Sequence, residues 1–367
     1  MTNSALSQAK LAKNDEFYTQ FDDIEQEVNA YLDYNANVFR GKSVLLPCDD
    51  PEWSNFTKFF AENFVRLGLR RLVSTSFAPE AKRAKYGIST QPSLFEKQSA
   101  AYDEKRNATH GKLFVLNAGD EVSDFATLCH TWRYLEGTGD FASDEVCALR
   151  DDADFVITNP PFSLFREFVA WIRQALRPLR FLIIGNMNAV TYKEIFPLIK
   201  DNQMWLGVHN GAKIYKKHDG ADFKMGNTFW FTNMEHGRRH ERLQLMSMKE
   251  NLRYNAKHAA GYPRYDNYDA IEVGATDAIP SDCDGVMGVP ISFLDKYCPE
   301  QFEIVGMCEN EDLYKLKTRK YTTQECKDAY FAKFGKNGIY DLNASGVIIV
   351  DGIKEKVYQR ILIRHRR

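Results

Sequence analysis

The stretch Asp154-Phe155-Val156-Ile157-Thr158-Asn159-Pro160-Pro161-Phe162 decides the fold. Its first half is an apolar, β-branched run, which predicts a buried strand. Residues 163–169 follow with helical spacing, and Ser163 is a candidate N-cap. The four residues from Asn159 to Phe162 therefore lie at the carboxyl end of a strand, the edge of an open α/β sheet where ligands bind.

These four residues have the chemistry to hold an exocyclic amine. Each proline fixes its own φ and removes a backbone N–H, so carbonyl oxygens remain without competing donors. An amine on a planar ring could donate to the Asn159 carboxamide oxygen and to the Pro160 carbonyl, while Phe162 stacks on the ring. Pro161 adds rigidity. The competing interpretation is an ordinary strand-to-helix turn, because Asn-Pro and Pro-Pro are common in loops.

Length and composition describe a globular protein. The chain has 367 residues, 44% hydrophobic and 27% charged, with a net charge of −2. That is enough for one large or two medium domains. No apolar run approaches the roughly 20 residues that span a bilayer, so no membrane partner is expected. The polar residues 1–15 lack the apolar segment of a signal peptide, which predicts a cytoplasmic protein.

Cysteines and histidines give no metal pattern. The seven cysteines are scattered without any Cys-x-x-Cys pair, which predicts reduced thiols. The closest histidine spacing is His236 with His240, beside Arg238 and Arg239. A solvated basic face explains this segment better than a zinc site, so we expect no metal.

A strand, an acidic loop and a helix open the chain's α/β pattern. Residues 43–46 predict a short buried strand, and Cys48-Asp49-Asp50-Pro51 leads to a helix that starts near Ser54. A Rossmann-like domain begins in this way. The usual glycine-rich turn is missing, yet Asp49 or Asp50 could bind a cofactor ammonium, with helix N–H groups for its carboxylate. The second strand, residues 69–76, ends without the acid that normally binds ribose.

The remaining pattern predicts an α/β fold: a Rossmann-like, mostly parallel sheet with a terminal antiparallel hairpin at residues 229–232. We expect a cofactor-binding and catalytic domain over residues 1–235. It contains an excursion near residues 78–130, inside which residues 112–116 resume strand character.

Residues 236–367 differ from the preceding residues in the distribution of basic side chains, and they predict a DNA-recognition region. Basic runs occur at 238–242, 315–320 and 360–367, and the last alternates apolar and basic residues as a half-buried strand does. Charge runs are usually solvated surface. Three of them in a chain of slightly negative net charge indicate a phosphate-facing side.

The chain resembles the EcoRI-type adenine-specific DNA methyltransferases. The resemblance rests on Asn159-Pro160-Pro161-Phe162 and on further stretches in chain order. These are residues 15–20, 48–51 with 54–56, 191–194, 205–209, 265–271 and 285–290. Only the Asn-Pro-Pro-Phe tetrad is diagnostic of chemistry, since it marks enzymes that methylate amines with S-adenosylmethionine. Residues 78–130 and 211–226 match poorly.

The resemblance implies roles for further residues. Phe17, Tyr18 and Thr19 would enclose the methionine end of S-adenosylmethionine, Asp140 would bind its adenine amine, and Phe141 would contact its adenine ring. Phe229 or Trp230 of the hairpin would wall the target-base pocket. Core packing for residues 17–19, a surface turn for 140–141 and buried sheet aromatics for the hairpin stay open as alternatives.

The resemblance also implies an activity: methyl transfer from S-adenosylmethionine to N6 of an adenine flipped out of double-stranded DNA at a specific site. Such enzymes belong to bacterial restriction–modification systems carried on chromosomes, plasmids or phages, and a cognate endonuclease would share the site without forming a stable complex. The alternatives are methylation of RNA or of a protein glutamine, and a DNA-binding relative whose cofactor site has decayed.

Overall fold

The structure is a computed structural model that describes residues 19–81, 99–121, 124–216, 222–255 and 261–366. The chain divides into two compact units. The first comprises Met1–Ile195 and Gln203–Gly237, and the second comprises Phe196–Asn202 and Arg238–Arg367. Phe17 and Tyr18, two of the predicted cofactor residues, lie outside the described residues.

A nine-stranded sheet forms the centre of the first unit. Its strands are β1 (Ser43–Leu46), β2 (Arg71–Thr75), β3 (Lys112–Asn117), β4 (Arg133–Tyr134), β5 (Phe155–Thr158), β6 (Arg180–Asn186), β7 (Trp205–Leu206), β8 (Gly211–Lys216) and β9 (Asp222–Thr232). Their order is β4-β3-β2-β1-β5-β6-β9-β7, and β8 pairs with β9. The predicted strand before the tetrad is confirmed as β5.

The four central strands, β2, β1, β5 and β6, run parallel. The antiparallel β8–β9 hairpin on one side confirms the predicted terminal hairpin. On the other side β3 and β4 are also antiparallel, which the sequence did not predict. An apolar run such as residues 112–117 has the same composition whichever way it runs, so its direction depends on the connection that precedes it.

Helices cover the sheet. They are α1 (Phe21–Tyr34), α2 (Asn55–Glu62), α3 (Phe64–Leu67), α4 (Glu104–Thr109), α5 (Phe125–Leu128), α6 (Asp144–Asp152) and α7 (Phe165–Arg173). One core cluster joins buried residues of α1 and α2, such as Val28 and Phe60, to Ile157 of β5. Burial of these apolar side chains fixes the helices on the sheet.

Two helix starts differ from the prediction. Ser163 is not an N-cap, because a 3₁₀ turn at Phe162–Leu164 precedes α7 and no side chain caps that helix. The spacing of Val190, Ile195 and Leu198 predicts one helix over residues 188–200, but these residues do not form one helix. They contain part of a 3₁₀ helix at Met187–Thr191 and the separate helix α8 (Phe196–Lys200). Pro197 has no N–H to donate to the preceding turn, so it is tolerated near a helix start and not inside one.

The second unit contains α8 and a four-stranded sheet. Its other elements are α9 (Met248–Tyr254), β10 (Ala270–Glu272), β11 (Val286–Pro290), β12 (Phe302–Met307), α10 (Thr323–Phe334), β13 (Val347–Val350), β14 (Ile353–Lys356) and β15 (Arg360–His365). The sheet order is β10-β11-β15-β12, and β13 and β14 form a separate hairpin. The predicted C-terminal strand is confirmed as β15.

Within the described ranges, no helix has the length and apolar character needed to cross a bilayer. The same ranges contain no group of three or more His, Cys, Asp or Glu side chains placed to hold a metal ion.

A buried ion pair ties β10 to β15. Arg360 is 9% exposed, and its guanidinium donates to the Glu272 carboxylate, with a shortest distance of 2.6 Å. The Tyr265 hydroxyl donates to the same carboxylate. Two charges in the interior are stable only when they satisfy each other.

We expect Arg360→Met to lower the free energy of unfolding by about 3–5 kcal/mol, because it leaves the Glu272 carboxylate buried without its partner charge. The double variant Arg360→Met/Glu272→Met should cost less than the sum of the two single variants. Chemical denaturation measures all four proteins. Strictly additive losses would show that the two charges do not depend on each other.

Candidate active site

The carboxyl ends of the parallel strands bring two predicted segments together. Asp49 follows β1 and Asn159 follows β5, and these strands are neighbours in the sheet. Thr158, the last residue of β5, donates its hydroxyl to Asp49 Oδ2 at 2.5 Å. The acidic loop and the tetrad are therefore joined through one hydrogen bond.

The position of Asp49 is set by four elements. Asp49 is 5% exposed. Its carboxylate accepts a hydrogen bond from the Ser54 hydroxyl on Oδ1 at 2.6 Å. Ser54 also caps α2 by accepting the Phe56 N–H at 3.0 Å. The Asp49 N–H donates to the Thr75 carbonyl at 3.0 Å, and its carbonyl accepts the Ser74 hydroxyl. The β1 loop, β2, β5 and α2 all hold this residue.

Burial raises the pKa of the Asp49 carboxyl to about 7. The hydrogen bonds from Ser54 and Thr158 act in the opposite direction, and the neighbouring Asp50 raises the pKa further. Burial, and then the charge of Asp49, also raises the pKa of the adjacent Cys48 thiol. An added cation would stabilise the ionised form of Asp49, so the site has the electrostatic character of a receptor for an ammonium group.

Thr19 lies against the start of α2. Its residue is 4% exposed, and its carbonyl accepts the Asn55 side-chain amide at 2.7 Å. The Thr19 hydroxyl is buried and has no hydrogen-bond partner within the described ranges. Consecutive residues of the chain therefore connect to two predicted cofactor residues: Ser54 to Asp49 and Asn55 to Thr19. A buried hydroxyl and a buried carboxyl, each connected to the start of α2, could serve a ligand that has both donors and acceptors.

The two acids of the loop have different surroundings. Asp50 lies 3.3 Å from the Lys112 ammonium, which is itself buried and lies 2.7 Å from Glu52. His130 Nδ1 lies 3.4 Å from the other oxygen of Glu52. Asp50 is thus engaged by a cation of β3, whereas the side chain of Asp49 accepts hydroxyl groups.

Asp140 is held at the same edge of the sheet. It is buried, and its carboxylate accepts the Ala142 N–H at 3.0 Å. The preceding Gly139 has φ +77°, and a Cβ there would lie 2.1 Å from the Ser76 carbonyl. Only glycine allows this close approach, which packs the loop against the chain that follows β2.

Phe141 packs against α7 rather than forming a plain surface turn. Its ring is half-buried and makes edge contacts with Phe168 and Trp171, with ring centroids 5.1 and 5.7 Å away. The helix that follows the tetrad therefore also anchors the loop of Asp140 and Phe141.

In the tetrad, Pro160 is buried and the other three residues are half-buried. The Asn159 carboxamide oxygen is itself buried. The Pro161 carbonyl accepts the Leu164 N–H at 2.9 Å. By contrast, the Pro160 carbonyl accepts no recorded hydrogen bond from the described part of the chain. This difference leaves the Pro160 oxygen available as a hydrogen-bond acceptor.

The two candidate aromatic residues of the hairpin, Phe229 and Trp230, differ in burial. Trp230 is fully buried and its ring contacts Phe56 edge-on at 6.0 Å, which favours the core interpretation for this residue. Phe229 is half-buried. Strand alternation puts these two side chains on opposite faces of the sheet.

Sequence reasoning missed several residues that build the site. Thr158 and Ser74 lie at the ends of two strands, and nothing in the local sequence marks a hydroxyl there as part of a site. Ser54 can be recognised as a helix cap, because Ser before a helical pattern is a typical N-cap. A structural contact was also missed at Glu27 of α1. Glu27 is fully buried and accepts the N–H groups of Val208 and His209 at 2.9 and 2.6 Å.

Comparisons of the sequence with known proteins identify methyltransferases. The family model of the EcoRI adenine-specific methyltransferase matches residues 5–366. The Type II methyltransferase M.EcoRI of Escherichia coli is 40% identical over 328 residues, which cover 85% of this chain and 91% of the relative. M.MpnI of Mycoplasma pneumoniae, also a Type II methyltransferase, is 35% identical over 86% of this chain and 90% of its own. No solved structure matches.

The raised pKa of Asp49 predicts a pH-dependent stability difference for Asp49→Asn. Its pKa lies above the ordinary value of 3.8, so its contribution to stability is lost as pH rises through 7. Asn carries no charge and avoids this loss. The stability of the variant relative to wild type should rise by about 2–3 kcal/mol between pH 5 and pH 8. Unfolding in denaturant at both pH values measures this, and an unchanged difference would contradict it.

Proposed function

The chain belongs to the EcoRI family of adenine-specific methyltransferases, and we propose that the sheet edge around Asp49 and Asn159 performs its reaction. That reaction is site-specific methylation of adenine N6 in double-stranded DNA, with S-adenosylmethionine as the donor that the family implies. The observation that carries the assignment is the hydrogen bond from Thr158 to Asp49, because it couples the cofactor loop to the tetrad.

We assign the cofactor's methionine end to the start of α2. Asp49 would bind the α-ammonium group, and the buried Thr19 hydroxyl would donate to or accept from the same end. Phe17 and Tyr18 precede Thr19 and would complete the enclosure. Asp50, held by Lys112, would add negative charge at the same loop. When bound, S-adenosylmethionine supplies an electrophilic methyl group.

We assign the cofactor's adenine end to the loop after Gly139. The buried Asp140 carboxylate would accept the exocyclic amine, and Phe141 would contact the ring from its position against α7. The Gly139 geometry holds this loop against the chain after β2, and β2 is the neighbour of β1. Both ends of the cofactor would thus lie along one sheet edge, which is where this fold class binds ligands.

The tetrad would orient the target amine. Asn159 and the Pro160 carbonyl would accept the two N6 hydrogens, which draws the nitrogen lone pair out of the ring and toward the methyl carbon. The N6–C bond would form as the S–C bond of the donor breaks, and one N6 proton would leave to solvent. Positioning contributes most of the rate in such an in-line transfer.

Phe162 would offset part of the cost of flipping the adenine out of the duplex. Extrusion costs a few kcal/mol, and stacking on an aromatic side chain is worth about 1–3 kcal/mol per base. Phe162 is suited to this because Pro161 and the 3₁₀ turn fix its backbone while its side chain stays half-buried.

Residues 236–367 would recognise the DNA. The named relatives are Type II methyltransferases, so a restriction endonuclease of the same specificity would act on the same site without forming a complex with this chain.

We expect Asn159→Ala to lower methyl transfer to unmethylated genomic DNA at least 100-fold, since it removes one of two acceptors that orient the amine. Binding of S-adenosylmethionine should change less than threefold. Tritiated methyl incorporation followed by base analysis measures the loss and identifies the product. Asn37→Ala is a matched control, because Asn37 is an exposed asparagine before the amino end of β1. Label in cytosine, RNA or protein, with none in adenine, would refute the assignment.

The affinity for S-adenosylmethionine should fall as pH decreases below 7. Asp49 has a pKa of about 7 without ligand, and only its ionised form attracts the α-ammonium group. Affinity should therefore approach a tenfold loss for each unit by which the pH falls below 7. Calorimetric titration from pH 6 to 8.5 tests this. Asp49→Asn should bind weakly with a flat profile, and a flat wild-type profile would remove Asp49 from the ammonium site.

A further inference from the structure

The three basic runs of the second unit are largely engaged in its own structure. Arg238 pairs with Asp295 at 2.5 Å, Arg364 with Glu303 at 2.6 Å, and Arg319 with Asp266 at 3.0 Å. Arg360 is buried with Glu272, and Lys317 donates to the carbonyls of Asn310 and Asn343. Cations with such partners are poorly available to a phosphate backbone.

Other lysines in the same unit remain available. Several exposed lysines of this unit have no carboxylate partner within 4.0 Å among the described residues, and four of them lie close together in sequence: Lys315, Lys320, Lys327 and Lys336. Residues 315–356 contain nine Lys or Arg and five Asp or Glu, a net charge of +4, whereas the whole chain carries −2. The charge of this segment is thus opposite to that of the chain and complementary to DNA.

Helix α10 is at the centre of this segment and shows an unusual outward face. Gln324, Lys327, Asp328 and Phe331 recur at helical spacing and are all exposed. Phe331 is 57% exposed, Phe334 is 47% exposed, and the nearby Ile339 is 61% exposed. Large apolar side chains grouped on a surface indicate an interaction site.

The residue types on this face match base edges in the major groove. Gln reads adenine, Lys reads guanine or phosphate, Asp accepts from cytosine, and an apolar ring contacts the thymine methyl group. The Gln324 amide donates to Asp328 at 2.8 Å, which fixes two of these side chains before any ligand binds. Pre-organised side chains lose less entropy on binding.

The opposite face of α10 anchors it firmly. Cys326 and Ala329 are buried in a cluster with Leu342 and Val347, the latter on the β13–β14 hairpin. Thr322 and Glu325 form a capping box at the start of the helix, and Lys333 pairs with Glu355 at 2.8 Å. The helix is therefore presented as a rigid rod. A helix with its side chains is about 10–12 Å across, and the major groove is about 12 Å wide.

We propose that the outward face of α10 enters the major groove of the substrate duplex, with Lys327 and Lys336 at phosphates and Gln324 and Phe331 at base edges. This inference rests on the proposed function, because it names the element by which a DNA methyltransferase selects its site. The charge of residues 315–356 favours DNA over a second copy of this chain, whose net charge gives no comparable attraction.

The first test is the salt dependence of binding to a 30-base-pair duplex of mixed sequence, measured by fluorescence anisotropy with the full chain. The double variant Lys327→Ala/Lys336→Ala should bind about 10-fold more weakly at 0.1 M salt. It should also lower the slope of log K against log salt by about 2, since each phosphate contact contributes about 0.9. The matched control is Lys249→Ala/Lys296→Ala, two exposed lysines of the same unit outside the segment. Equal effects of the two double variants would overturn the proposal.

The second test addresses sequence selection. Gln324→Ala and Phe331→Ala should change the set of adenines methylated in unmodified genomic DNA, or lower kcat/KM for DNA at least 10-fold, with KM for S-adenosylmethionine and Tm unchanged. An unaltered methylation pattern with unaltered kcat/KM would overturn the role of this face. So would a wild-type dimer that Phe331→Ala dissociates without loss of DNA binding.

The experiments distinguish failure of the proposed function from failure of the α10 assignment. If wild type transfers no methyl group to DNA, the proposed function fails, and the anisotropy experiment still reports whether α10 binds a duplex. If wild type methylates DNA and the α10 variants match wild type in every readout, only the α10 assignment fails.

Discussion

The buried carboxyl of Asp49 is the constraint on which the first unit's site depends. It takes hydroxyl groups from Ser54 at the start of α2 and from Thr158 at the end of β5, while its backbone is held by β2. One residue, through its side chain and its backbone, thereby fixes the relative positions of a helix start and three strand ends. The cost is an acid whose pKa burial raises to about 7. A bound cation would offset this cost, because its charge would favour the ionised form.

The tetrad depends on the same arrangement. Thr158 is both the partner of Asp49 and the residue before Asn159, so the strand that orients the tetrad also holds the carboxyl. The prolines then define which carbonyl is available. Pro161 closes a 3₁₀ turn with Leu164, whereas the Pro160 oxygen accepts no recorded hydrogen bond from the described residues. A few local constraints thus place two acceptors and one aromatic ring without a metal ligand set in the described part of the chain.

Charge is used differently in the second unit. Arginines that look like a phosphate-binding surface in the sequence pair with carboxylates of neighbouring elements, as Arg364 does with Glu303 and Arg360 with Glu272. Pairing fixes their side chains and neutralises them. The exposed lysines around α10 lack such partners in the described ranges, so their positive charge extends into solvent. The number of basic residues in a segment is therefore a poor guide to phosphate binding. The guide is how many of them have no carboxylate within reach.

The sequence by itself determined the α/β class, the strand before the tetrad, the acidic loop after β1 and the family, because strand periodicity, proline chemistry and a diagnostic motif are local properties. Tertiary structure decided what local properties cannot. It distinguished Asp49, which accepts hydroxyl groups, from Asp50, which pairs with Lys112. It set the direction of β3, moved the start of α7 from Ser163 to Phe165, and placed Trp230 in the core. The physical reason is the same in each case: burial and pairing depend on residues far apart in the chain, and no local pattern encodes which of them meet.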